Sequence, residues 1–183
     1  MKITNKWLIK RKACEGAIEW FNEVIGKPIE HEKLSRILLG EKKYAWANWL
    51  VVHVMRNKNQ RVRYAIYAAS LVLKYYEDCY PDDDRPRKAI QAAKKYLKNK
   101  NIWSARSAAA SAESAWSAAS AESAASAAWS AASAAWSAAA RSAAASVAAS
   151  VASAAWSAAA RSAECYAETL TKIINYGLRI IKE

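Results

Sequence analysis

Along residues 1–101, apolar positions recur at spacings of three and four, the pattern that lines one face of an α-helix. Leu8, Ala13, Ile18, Phe21 and Ile25 predict a first helix over 5–25, with Cys14 and Trp20 beside its buried face and Gly26 as its C-terminal cap. Lys27-Pro28 breaks it, and a second helix is expected over 30–39, stopped by Gly40, with His31 a solvated histidine in its first turn. Over 41–55, Tyr44, Trp46, Trp49, Leu50, Val51 and Val54 leave almost no polar face. This third helix is therefore expected to be central, with His53 buried and hydrogen-bonded, because no second metal-type ligand stands four residues away. A basic connection over 56–63 leads to a fourth helix over 62–76, carried by Ile66, Ala69, Leu73 and Tyr76. Pro86 suits the first position of a fifth helix running to residue 98, with Asp84 or Arg85 just outside it and Ile90, Ala93 and Leu97 facing inward. A last helix over 164–181 should bury Leu170, Ile173, Ile174, Leu178 and Ile181, slightly weakened by Gly177.

Between the fifth and last helices the pattern changes. From Trp103 to Ala163, 49 of 61 residues are Ala or Ser, with no Gly or Pro. Alanine is the best helix former, so the block is expected to be helical. The serines keep one phase only in stretches, slipping near 117–125 and 138–141, which favours three shorter helices joined by tight turns over one rod. Small residues let helix axes approach closely, and Trp103, Trp116, Trp129, Trp136 and Trp156 are expected to fill the remaining space. The fold class is thus all-α: a multi-helix bundle in which a basic amphipathic half (1–101) and an Ala/Ser-rich half (102–183) share one core.

Charge is uneven between those halves. Residues 1–101 carry a formal +11 and the remainder +1. A basic half favours anionic partners and argues against a nucleic-acid mimic, which would have to be acidic. Three widely separated cysteines, no signal-peptide pattern and no apolar run longer than 65–73 lead to the expectation of a cytoplasmic protein that neither spans nor binds a membrane.

The chain offers little chemistry. It has no Gly-rich phosphate loop, no paired Cys-x-x-Cys, no His-Glu-x-x-His and no Gly-x-Ser-x-Gly. Two histidines make a triad improbable, so no enzyme, metal or cofactor is expected. The acidic run Asp82-Asp83-Asp84 is expected to cap and solvate a turn, with Asp84, Arg85 and Arg87 as a candidate paired binding site. Arg56, Lys58, Arg61 and Arg63 form a second basic candidate, and Lys94, Lys95 and Lys98 a third. Tyr64 and Tyr96 are placed to stack on bases should those cations meet phosphates.

The segments KACEGAIEWF (12–21), PDDDRPRKAI (81–90) and the Ser-Ala-Ala repeats from Ser104 together resemble a group of uncharacterised bacterial and phage proteins. Members of that group carry a Pro-x-Asp-x-Arg-Pro-Arg-x-Ala-Ile turn-helix followed by Arg/Glu/Trp-Ser-Ala-Ala repeats, and some are labelled immunity proteins by genomic context. The resemblance implies a non-enzymatic accessory protein of a phage or mobile element, an inhibitor that binds a protein partner through a basic face. The alternative is a protein that binds or sequesters nucleic acid or small nucleotides. Self-association as a homo-oligomer is compatible with either.

Overall fold

A computed structural model describes residues 1–100 and 163–183, together with Trp103, Arg106 and Ala110. The expectations for helices, phase breaks and tryptophan packing within 104–162 fall outside the described residues. Trp103 is described and is 78 % exposed, so it fills no core space; it lies beyond α6 (Arg85–Asn99), past the last core residue of that helix, Tyr96.

The described residues are all-α apart from one two-stranded ribbon, β1 (Lys2–Ile3) paired antiparallel with β2 (Ile29–Glu30). The expected first helix is divided. Thr4 caps α1 (Asn5–Lys10) by accepting from the Trp7 N–H, and the chain then turns through Lys12 at φ 58°. There the Lys12 and Ala13 N–H groups donate to the Ile9 and Leu8 carbonyls, a Schellman closure with lysine in the left-handed position that glycine usually takes. Helix α2 (Glu15–Trp20) runs into a π-helical turn, Phe21–Ile25, closed by Gly26 at φ 61° as the sequence suggests. Phe21 and Leu8 are buried, while Ala13, Ile18 and Ile25 pack only partly against the core.

Helix α3 (His31–Gly40) ends in a second Schellman closure at Lys42, φ 55°, so Gly40 is its last helical residue rather than its stop. His31 is not solvated: its N–H donates to the Met1 carbonyl and its ring contacts the first residue, because the ribbon brings residues 1 and 31 together. Helix α4 (Tyr44–Val54) is central, with Ala47, Leu50, Val51, Val52 and Val54 all buried.

Helix α5 spans Lys58–Cys79, so most of the expected basic connection is helical. Asn57 and Gln60 form a capping box: the Asn57 side chain accepts from the Gln60 N–H, and Gln60 Oε1 accepts from the backbone of Arg56 and Asn57. The remaining Gln60 amide donates across the core to the Ile180 carbonyl at 2.9 Å, meeting one of the otherwise orphaned C-terminal carbonyls of α7 (Ala163–Lys182). Last in the sequence, α7 packs against both α4 and α5, α3 packs on α4, and α6 packs on α5. Ile173, Ile174 and Ile180 are fully buried between these helices, each contributing about 1.5–3 kcal/mol by leaving water. At one end Lys182 joins Arg36 on the Glu32 carboxylate, which lowers that carboxyl to about 2 and ties α7 to α3.

No helix among the described residues is long and apolar enough to cross a membrane. Cys14, Cys79 and Cys165 are not joined in disulfides.

Candidate functional site

The turn between α5 and α6 holds the first predicted site in altered form. Asp83, not Asp84, is the organising carboxylate: it accepts from Arg85 Nε and NH2, from the Arg85 backbone N–H and from the Tyr76 hydroxyl. The Arg85 guanidinium beside it holds the Asp83 carboxyl well below the usual carboxylate range. Burial, with the bond to Asp83, pushes the Tyr76 hydroxyl up to about 12. Asp84 stands at the helix N-cap without a side-chain capping bond and pairs instead with Lys88 at 2.9 Å. Arg87 reaches back to Glu77 at 2.7 Å. Each cation here has its own carboxylate, so the turn is a fold clamp in which Asp84, Arg85 and Arg87 pair with separate side chains.

The second predicted set is dispersed for a geometric reason. Because α5 begins at Lys58, successive side chains leave the axis about 100° apart. The ammonium of Lys58 lies 4.6 Å from the Tyr96 ring of α6. Arg61 turns to the end of α4, donating to the carbonyls of Val52 (3.5 Å) and Met55 (2.9 Å). Arg63 turns to the end of α7 and pairs with Glu183, whereas Arg56 is exposed before the helix. The two tyrosines assigned to base stacking are unavailable for it. Tyr64 is completely buried, with its hydroxyl donating to Asn48 Oδ1; Tyr96 is buried, with Lys58 and Lys100 over its ring.

A different pair of rings occupies the exposed position. Tyr67 of α5 and Tyr176 of α7, both half-buried, stack at 4.1 Å with 13° between their planes. On one side of the pair lies a groove of ≈ 370 Å³ walled by Arg63, Ile66, Ser70, Lys94 and Leu97. On the other side, Lys172, Asn175 and Arg179 border a smaller hollow of ≈ 280 Å³, and the Arg179 guanidinium sits 5.0 Å over the Tyr176 ring. Lys94, Lys95 and Lys98 are exposed on α6, and none has a carboxylate within ion-pair distance among the described residues; the same holds for Arg179. Of the third predicted basic set, Lys94 lines the tyrosine-lined groove, and Lys95 and Lys98 are exposed elsewhere on the same helix. The sequence carried one faint signal for it: Arg63 with Tyr67, and Tyr176 with Arg179, sit one helical turn apart on faces beside the apolar stripe.

A second aromatic cluster surrounds His53, which is half-buried rather than enclosed. Its ring stacks on Trp49 at 4.1 Å, Trp49 meets Trp7 edge to face at 5.9 Å, and the Arg11 guanidinium lies 5.8 Å from the Trp7 ring. Among the described residues, no group of three or more His, Cys, Asp or Glu side chains is placed to hold a metal ion.

No protein-family model, curated protein or solved structure matches this chain.

Proposed function

We propose that this chain is a non-catalytic binding protein that recognises an acidic protein partner through the face formed by α5, α6 and α7. The observation that carries the reading is the half-exposed Tyr67–Tyr176 stack, set between Arg179 and Lys94, neither of which has a carboxylate within ion-pair distance among the described residues. Tyrosine and arginine concentrate in the energetically dominant parts of protein interfaces, because they bring large, rigid contact area together with directed polar groups. Uncompensated lysines at the rim accelerate encounter with an acidic surface and add salt sensitivity. The resemblance of the turn-helix and Ser-Ala-Ala segments to immunity-type accessory proteins supports a neutralising role in the cytoplasm, within a phage or mobile element.

The second reading, binding of single-stranded nucleic acid, is favoured by the same conjunction of rings and cations. A photo-crosslinking residue at Ser70, inside the groove, separates the two in cells. A protein adduct that disappears in a K94E/R179E variant supports the first reading, and a nucleic-acid adduct selects the second. If the groove position yields no adduct while an exposed position such as Asn22 does, the face is not the binding site.

A further inference from the structure

We propose that Glu183 holds, on Arg63, the place of a partner's carboxylate: the groove beside the tyrosine pair takes a short acidic segment, an apolar side chain flanked by Asp or Glu, and one of those carboxylates displaces Glu183. The inference rests on the reading of this face as the surface that meets an acidic protein.

The layout of the groove follows from helical spacing. Arg63, Ile66 and Tyr67 stand three and four residues apart and share one stripe of α5, and Tyr176, Lys94 and Leu97 face them from α7 and α6. Ile66 is buried and Leu97 packs partly against the core, so the floor is apolar, while Arg63 and Lys94 bring two cations to the same groove. At ≈ 370 Å³ it lies at the small end of ligand pockets and suits one apolar side chain with its neighbours rather than a whole helix.

The two cations differ in what they face. Lys94 has no carboxylate within ion-pair distance among the described residues, whereas Arg63 pairs with Glu183. Glu183 follows Lys182, the last residue of α7, and both members of the pair are solvated, the carboxylate side chain 50 % exposed and the guanidinium side chain 37 %. An ion pair so exposed contributes little to stability and opens easily.

The position suits negative charge although it lies at the carbonyl end of α7. The hydrogen bond from Arg63 holds the Glu183 carboxyl below its ordinary value, and the charge of Arg179 acts in the same direction. The Ile180 carbonyl at that end is already met by the Gln60 amide. Exchange of one carboxylate for another leaves Arg63 paired, gives Lys94 a counter-charge, and lets Ile66, Leu97 and the tyrosines cover an apolar side chain. A segment with acidic residues on both sides of an apolar one meets all three conditions.

The test is an NMR titration of the full chain at fixed low ionic strength with acetyl-Glu-Leu-Glu-amide and with acetyl-Gln-Leu-Gln-amide, followed on the ring resonances of Tyr67 and Tyr176. The Glu peptide should shift both rings, bind more tightly than the Gln peptide, and lose most of its affinity in R63Q. The deciding variant is E183Q. With the internal competitor removed, it should bind the Glu peptide about two- to fivefold more tightly than the parent, the span of one exposed ion pair. That gain should vanish in the R63Q background, where a diffuse charge effect would persist. An E183Q chain that binds no more tightly, a gain that survives in R63Q, or equal binding of the two peptides overturns the exchange and leaves the face as a surface for an acidic partner. A Glu peptide that shifts neither ring, in the parent or in E183Q, overturns the exchange together with the reading on which it rests.

Discussion

Replacing Gly177 by alanine would place a Cβ 2.5 Å from Val51 Cγ1 and 2.6 Å from Tyr64 Cε2. Real Cβ atoms do not approach neighbours this closely, so something must move. Both neighbours are completely buried, and the Tyr64 ring is also held by its hydroxyl bond to Asn48. Inserting a methyl into such a core costs about 1–3 kcal/mol, while removing glycine from a helix interior returns about 1 kcal/mol. The packing term is expected to dominate, because three helices meet at this point and the ring cannot slide without breaking its bond. With two contacts this short, the packing cost lies at the upper end of that range, about 2–3 kcal/mol, and the net loss of about 1–2 kcal/mol should lower Tm by roughly 2–8 °C for a chain of this size, while urea unfolding should show a lower midpoint at unchanged slope. Gly40 supplies the opposite case: it is exposed, nothing lies within 4 Å of an added Cβ, and G40A should gain about 0.4–1 kcal/mol. A G177A protein as stable as its parent would refute the seating of α7 between α4 and α5.

Further expectations concern the clamps and the caps. D83N should destabilise by about 1–3 kcal/mol at pH 7, since Arg85 and Tyr76 lose their shared acceptor charge. The Asp83 carboxyl is depressed in the folded state, so its contribution is present above the ordinary carboxylate value and falls away as pH drops below about 4. Glu32, held at about 2 by Lys182 and Arg36, acts in the same direction. Acid unfolding followed by circular dichroism should therefore steepen below about pH 4 in the parent and be flatter in D83N; parallel curves would show that Asp83 is not the titrating clamp. N57A, which removes one half of the α5 capping box, should cost about 1 kcal/mol, and an unchanged melt would mean that the helix starts elsewhere.

Much of the secondary structure was legible because local chemistry dictates it. Proline at the second residue of α6, glycine in the left-handed conformation after the π-helical turn, and the all-round apolar surface of α4 each follow from the residue's own sterics or from the local pattern. The division of the first helix was not legible. Lysine at positions 12 and 42 adopts a conformation that favours glycine, held there by the Schellman bonds and the packing around them rather than by its own preference. The start of α5 was concealed because Asn57 and Gln60 lie inside an arginine- and lysine-rich run that reads as a loop.

By itself the sequence determined an all-α chain, a central apolar helix, a basic first half and the approximate place of each described helix after residue 30. Period and capping depend on residues a few positions apart, so they can be read locally. Only the tertiary structure decided which cations act together. Arg61 and Arg63 are two positions apart yet serve the C-terminal ends of two different helices, α4 and α7, while Tyr67 and Tyr176, distant in sequence, become a single stack. It also reversed the meaning of Gly177, a weakness when judged by helix propensity and the point of closest helix approach when Val51 and Tyr64 are in place. Long-range contacts carry no local signature, because the side chains that create them are brought together only when the last helix joins the core.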